Sequence, residues 1–262
     1  MCVSLLLVGL LALAGSEMTE EIMPMADIQF SERSHSETSW TRNEFLDKNG
    51  YLVIKNLWNP EDLFELPPDQ KGQYSYRGNS MEYHFMDVEK QVNGSTSRYW
   101  YPPYRQYHSS IRKKIEKEIG RLLYNTYFYD RFYNPGQSLS MHCDRPACEI
   151  SVTLHVSSNI ESDDKNWPIC IKTPDVYTDK SKREILTLGE NRSVVLQPGD
   201  GMIYKGCERP HWREPLPIQY RKNWYRKNVE IEGLYYHQIF FHYVLQDGIR
   251  SHFAFDSYQG QA

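Results

Sequence analysis

A chain of 262 residues is long enough for one substantial core with a helical annex. With 40% hydrophobic and 24% charged residues the composition is ordinary for a globular protein and excludes a low-complexity chain. The 30 basic and 34 acidic residues give a formal charge of −4, so no overall basic excess points to nucleic acid or an anionic membrane.

Val3 to Ala14 has the length and apolarity of a signal-peptide core and is too short for a stable membrane span, but it lacks a basic flank. Residues 1–24 therefore read as a candidate leader, with Met25 as an alternative start. Cytoplasmic and secreted or endomembrane destinations both stay open. Residues 15–40 are polar and irregular, as a flexible arm would be. Residues 25–125 read as a mixed, partly helical support region. In it, Glu44–Lys48 predicts a short helix, Gly50–Leu57 a strand, and Asn59–Leu63 a helix start with Pro60 in its first turn. Leu66–Arg105 holds Pro, Gly and Tyr without periodicity and reads as loop. Ser109–Tyr124 is the clearest helix, with Ile111, Ile115, Ile119, Leu122 and Leu123 on one face.

From residue 126 to 250 the pattern is of short strands and turns. Tyr127–Tyr133, Ser138–His142, Ile150–Val156, Pro168–Lys172, Val194–Gln197, Gly201–Lys205 and His237–Val244 are the predicted strands. Turns at Asn134–Gln137 and Pro198–Asp200 separate them. Residues 251–262 form a tail. Asn159–Lys165 and Asp175–Arg183 are polar loop candidates. The cysteines, Cys2, Cys143, Cys148, Cys170 and Cys207, show no CxxC spacing. They read first as free thiols, with a disulfide in a secreted chain as the alternative.

Two motifs carry chemistry: His142-Cys143-Asp144 and Arg209-Pro210-His211-Trp212. Two imidazoles and a carboxylate make a facial ligand set for non-haem Fe(II), with positions left for an oxidant and a co-substrate. Residues two apart in a strand point the same way, so His142 and Asp144 can reach one ion. His211 must then come from a different strand. On spacing alone, structural histidines remain the alternative.

The pieces Phe132-Tyr133-Asn134-Pro135-Gly136, Met141–Asp144, Pro198–Gly201, Pro210–Arg213 and His237–Tyr243 occur in the order expected of one family. Through them the region from about Tyr127 to Asp247 resembles the Fe(II)/2-oxoglutarate-dependent oxygenase superfamily, in the style of its prolyl 4-hydroxylase-like branch. The resemblance covers under half of the chain. It implies a mainly β fold with a helical N-terminal wrap: a double-stranded β-helix of the jelly-roll, cupin-like kind. It implies His142, Asp144 and His211 as metal ligands and catalytic residues, with Fe(II), 2-oxoglutarate and O2 taking part.

It also implies a basic residue near the start of the last strand. This chain departs there, because that strand opens with Tyr236-His237 and has no Arg or Lys. Offset matching gives Arg221, which lies in an extra stretch, Ile218–Leu234. Tyr133 and Arg213 rank ahead of Lys172 and Arg221 as contacts for the co-substrate carboxylate. The implied reaction is hydroxylation of an unactivated C–H bond of a small molecule, with succinate and CO2 as co-products. A metal-dependent cupin-like hydrolase or isomerase, or an inactive binding scaffold, are the alternatives. Trp167, Trp212 and Trp224 are expected to line the opening and Tyr99–Arg105 to cover it. Arg105, Arg145 and Arg209 are the cations available to a carboxylated substrate. No nucleic-acid partner is expected, and oligomeric state is open.

Overall fold

A computed structural model of the chain describes residues 44–160, 167–179 and 184–254. The expected leader, the polar arm, most of Asn159–Lys165, the end of Asp175–Arg183 and most of the tail lie outside the described residues.

The chain is mainly β with a small helical part. α1 (Glu44–Asn49) and β1 (Tyr51–Ile54) come first, then β2 (Gly72–Tyr76), β3 (Tyr83–Met86) and β4 (Thr96–Tyr99). α2 (Arg105–Ile119) leads to β5 (Leu123–Tyr133), β6 (Leu139–His142) and β7 (Ile150–Ser158). β8 (Ile169–Lys172), β9 (Val176–Asp179), β10 (Glu184–Thr187), β11 (Asn191–Val194) and β12 (Gly201–Tyr204) follow. β13 (His211–Arg213), the pair β14 (Tyr220–Lys222) and β15 (Asn228–Glu230), and β16 (Tyr236–Leu245) complete the order.

A large sheet runs β1-β12-β7-β16-β5-β4-β2-β3, and a small one runs β11-β8-β13-β6. β9–β10 and β14–β15 are separate two-stranded sheets. Within the two main sheets all neighbours are antiparallel except β2 and β4. Backbone hydrogen bonds run within each sheet and not between them, so the pairing leaves two open sheets rather than a closed jelly roll. The two are joined by side chains.

Alternation along the strands sorts the large sheet into two faces. Ile239, Phe241 and Tyr243 of β16, with Ile150, Val152, Leu154 and Val156 of β7, pack on Ile111, Ile115 and Ile119 of α2. Each of those isoleucines is worth about 2–5 kcal/mol against truncation to alanine. The other face carries Tyr127, Tyr129, Tyr133, Tyr236 and Phe240, which meet Leu139 and Trp167. That face looks toward the site.

Three elements differ from expectation. α2 begins at Arg105 and stops at Ile119, because Gly120 takes a left-handed conformation (φ 65°) and its N–H caps Glu116 O. Leu123 therefore opens β5, and Leu122 is exposed. Leu66–Arg105 is not plain loop, since it contributes β2, β3 and β4 to the large sheet. Its pattern is hard to read because β4 buries polar side chains. Arg98 makes a buried bidentate pair with Asp130, whose carboxylate also accepts from His237 Nε2 at 2.8 Å. Finally, Val194 ends β11 rather than beginning a strand.

Candidate metal centre

His142 ends β6 and His211 begins β13, and the two are direct cross-strand partners in the small sheet. Their rings lie 4.4 Å apart, centroid to centroid. Asp144 sits two residues past β6, fixed by its own N–H on Gly206 O at 2.9 Å. Its Oδ1 is 3.5 Å from His142 Nε2 and 3.6 Å from His211 Nε2. One ligand atom from each of the three lies within 4.8 Å of the others.

Tautomers follow from the surroundings. His142 Nδ1–H donates to Ser140 O at 2.8 Å, and His211 Nδ1–H to Arg209 O at 3.0 Å. Both Nε2 lone pairs are thereby turned toward Asp144, as metal-ligating histidines require. Burial opposes charge on all three groups. It lowers the pKa of His211 and keeps that ring neutral. At His142 the Asp144 carboxylate outweighs burial and raises the pKa. At Asp144 burial is overcome by His142, His211 and Ser151, which hold the carboxyl well below the usual range. The site is thus a preformed carboxylate anion facing the Nε2 atoms of two imidazoles. This set fits a divalent first-row cation that keeps open positions.

A hydrogen-bond chain behind Asp144 was not readable in the sequence. Ser151 Oγ donates to Asp144 Oδ2 at 2.8 Å, and His242 Nδ1 lies 3.0 Å from the same Oγ. The hydroxyl proton is committed to the carboxylate, so His242 must donate through Nδ1. Burial lowers the pKa of His242 to about 4, consistent with a neutral ring. The carboxylate also needs the absence of a side chain at Gly206, where a Cβ would collide with Asp144 Oδ2, Ser151 Oγ and Cys148 O. Gly206→Ala is expected to lower divalent-metal affinity by about 10-fold or more, in the range seen when an outer partner of a ligand is lost. A metal titration at unchanged circular dichroism checks this.

Gln91, on the loop before β4, was also missed. Its Oε1 accepts from Arg131 Nη2 at 2.9 Å, and its Nε2 lies 3.2 Å from His142 Nε2. Arginine only donates, so the amide orientation is settled and Gln91 Nε2 must donate to the imidazole. Arg131 is held in turn by Glu89 at 2.8 Å, both fully buried. The amide therefore competes for the lone pair that a metal would take. Gln91→Ala is expected to raise metal affinity by about fivefold, the worth of one net hydrogen bond of about 1 kcal/mol. Calorimetric titration reads it directly.

The residues expected to hold a co-substrate separate clearly. Arg213 and Tyr133 meet in one aromatic cluster. The Arg213 guanidinium lies 4.3 Å from the Trp167 ring and 5.0 Å from the Tyr236 ring, and Tyr133 packs edge-on to Trp167 at 4.9 Å. Arg213 is 2% exposed, and its Nη1 donates to Trp167 O at 2.6 Å. Its Nε and Nη2 are buried with no anionic partner among the described residues, and the Tyr236 hydroxyl is buried beside the guanidinium. Tyr133 is fully buried and its hydroxyl accepts from Arg131 Nη1 at 3.4 Å. On the same face the His155 ring stacks on Tyr236, and His155 pairs across strands with Gln238. Among the described residues, His155 Nε2 and both amide atoms of Gln238 are likewise buried without a partner. Buried polar groups normally find partners, so this many in one interior fits a polar, anionic occupant.

Lys172 and Arg221 are not brought to this interior. Ile171 faces His211 across the β8–β13 pairing, so Lys172 leaves the opposite face of the small sheet. Arg221 lies exposed on β14. Of the three tryptophans, Trp167 adjoins the site, Trp212 alternates away from His211, and Trp224 is 82% exposed on the β14–β15 hairpin. Tyr99 stacks on Tyr129 at 4.7 Å, whereas Tyr101 and Tyr104 pack in the main core instead of covering an opening. Arg105 opens α2 and donates to Gly78 O, and Arg145 lies over the Tyr127 ring at 4.3 Å. The described cysteines, Cys143, Cys148, Cys170 and Cys207, are all free.

No protein-family model and no curated protein matches this sequence. Among solved structures it is similar to a Pseudomonas putida prolyl-4-hydroxylase (14% identity, TM-score 0.47, covering 76% of this chain and 95% of that one). It is similar also to a 2OG-Fe(II) oxygenase family oxidoreductase from Burkholderia pseudomallei (8% identity, TM-score 0.46, 77% and 88% covered). A third is HygX from Streptomyces hygroscopicus, with nickel and 2-oxoglutarate bound (10% identity, TM-score 0.46, 79% and 87% covered). Identities and scores this low do not by themselves assign the chain a fold or a function.

Proposed function

We propose that this protein is an Fe(II)- and 2-oxoglutarate-dependent dioxygenase that hydroxylates an unactivated C–H bond of a small molecule. One observation carries the reading. A two-histidine, one-carboxylate cluster adjoins an interior that holds a buried guanidinium with no anionic partner among the described residues. In this reading the two main sheets are the walls of a double-stranded β-helix, with the small sheet supplying His142, His211 and Arg213.

His142 Nε2, His211 Nε2 and an Asp144 carboxylate oxygen would hold the metal. When bound, Fe(II) with O2 and 2-oxoglutarate supplies the oxidation, one oxygen atom going to succinate as CO2 leaves and the other to the substrate C–H bond. The chain's own residues do the rest. Ser151 and His242 keep Asp144 oriented and ionised. Arg213 offers Nε and Nη2 to the far carboxylate of the keto acid, and the Tyr236 hydroxyl stands beside it. Trp167 and Tyr133 exclude water around that contact, which strengthens it. Tyr236 stands where the resemblance implies a cation, and Arg213 supplies that cation from the neighbouring wall. This offsets the departure that kept an inactive scaffold in view.

Titration with Mn(II), a redox-silent stand-in, followed by 2-oxoglutarate tests the reading. Keto-acid binding that depends on prior metal loading is expected. A metal-loaded protein that ignores 2-oxoglutarate contradicts the proposal and favours a hydrolase or isomerase.

A further inference from the structure

The stretch Ile218–Leu234, expected as an insertion, contains a hairpin with its own pairing, Tyr220 to Glu230 and Lys222 to Asn228. Its tip is a formed turn. Asn223 N–H bonds Lys227 O, Arg226 N–H bonds Asn223 O, and Lys227 N–H bonds Asn223 Oδ1, each at 2.9 Å. At the tip Trp224 is 82% and Tyr225 62% exposed, with Tyr220 at 57% below them. Arg221, Lys222, Arg226 and Lys227 flank the two rings and are all exposed. No acidic residue occurs between Arg221 and Val229. The formal charge of −4 thus conceals one strongly cationic, aromatic projection.

Large exposed rings need a partner that accepts both their apolar body and their polar edge. Tryptophan and tyrosine meet that description at the water–lipid boundary. Lysine and arginine beside them lay their stems along the apolar region and keep their charges at the headgroups. The Trp224 and Tyr225 rings lie on each other, with centroids 3.4 Å apart. Tilted by 32° to each other, they form one exposed aromatic tip. No helix of the described residues is long and apolar enough to cross a membrane.

We propose that the tip of the β14–β15 hairpin docks this protein on an anionic lipid bilayer. The test is co-sedimentation of the whole protein with vesicles of phosphatidylcholine, alone or mixed with phosphatidylserine. Binding at least about fivefold stronger to the phosphatidylserine vesicles, and weakened by salt, is expected. Trp224→Ala with Tyr225→Ala, and separately Lys222→Glu with Lys227→Glu, should each remove most of that binding. Neither pair belongs to a core cluster, so the melting temperature should hold and serves as the control. Equal binding by variants and wild type overturns the proposal, as does wild-type sedimentation no greater than without vesicles. Tight binding of a single-stranded oligonucleotide that the Trp224 variant loses, with no vesicle binding, assigns the hairpin to nucleic acid instead.

Discussion

Replacing Arg213 by leucine is expected to abolish 2-oxoglutarate binding to the metal-loaded protein while leaving the fold about as stable as before. Most arginine substitutions in a core would do the reverse. Arg213 is 2% exposed and donates to a backbone carbonyl. Its Nε and Nη2 have no anionic partner among the described residues. A buried cation without its anion costs several kcal/mol, so an apolar side chain of similar reach removes that penalty even as it forfeits contact with Trp167 and Tyr236. Binding behaves differently. Removing one partner of a buried charge pair costs about 2–5 kcal/mol, or a loss of about 30-fold and upward. Calorimetry for the ligand and urea unfolding for the fold separate the two effects. A variant that unfolds several kcal/mol more easily yet binds the keto acid normally would make Arg213 a structural residue. The wild type carries a matching expectation: saturating it at about 100 times Kd should add about 2.7 kcal/mol of stability.

The second large effect belongs to Asp144. Asp144→Ala removes the one carboxylate of the cluster and strands the Ser151 hydroxyl that points at it. Two neutral imidazoles remain, a poor holder for a hard divalent ion. Metal affinity is expected to fall by about 100-fold or more, and turnover to vanish with it. Asp144→Glu keeps the charge but moves it by a methylene in a cradle bounded by Gly206, and should recover only part of the affinity. Metal binding by the alanine variant at wild-type strength would mean that the ion sits elsewhere. The buried group of Asp144, Cys148 and His242 is the nearest alternative, though it shares the same aspartate. Retained binding would exclude both.

How far the sequence could be read depended on what each element buries. β7 was legible because aliphatic residues alternate with polar ones from Ile150 to Val156, and β16 because it is a long run rich in aromatic residues. The convergence of His142 and Asp144 followed from a two-residue period, and the inward turn of Arg213 from the same period counted from His211. The boundaries of α2 were less clear. Its N-terminus has no side-chain cap, so Arg105 to His108 carries no start signal, and its C-terminus depends on one left-handed glycine. β4 was hidden because it buries the polar residues Ser97 and Arg98, and the partner of Arg98, Asp130, lies far along the chain. Gln91 could not have been found from local pattern. It acquires its place only when the loop that carries it is pinned by Glu89 to Arg131 of β5. The hairpin of Tyr220 to Glu230 left a mixed signal of charges and aromatics, which offset matching took for a co-substrate cation at Arg221.

The most direct measurement is anaerobic addition of Fe(II) and then 2-oxoglutarate, followed by visible absorbance for the charge-transfer band of a chelated keto acid. The account predicts a band that needs both additions in the wild type and is absent from Asp144→Ala. A folded wild-type protein that binds Fe(II) and 2-oxoglutarate but shows no band would contradict it.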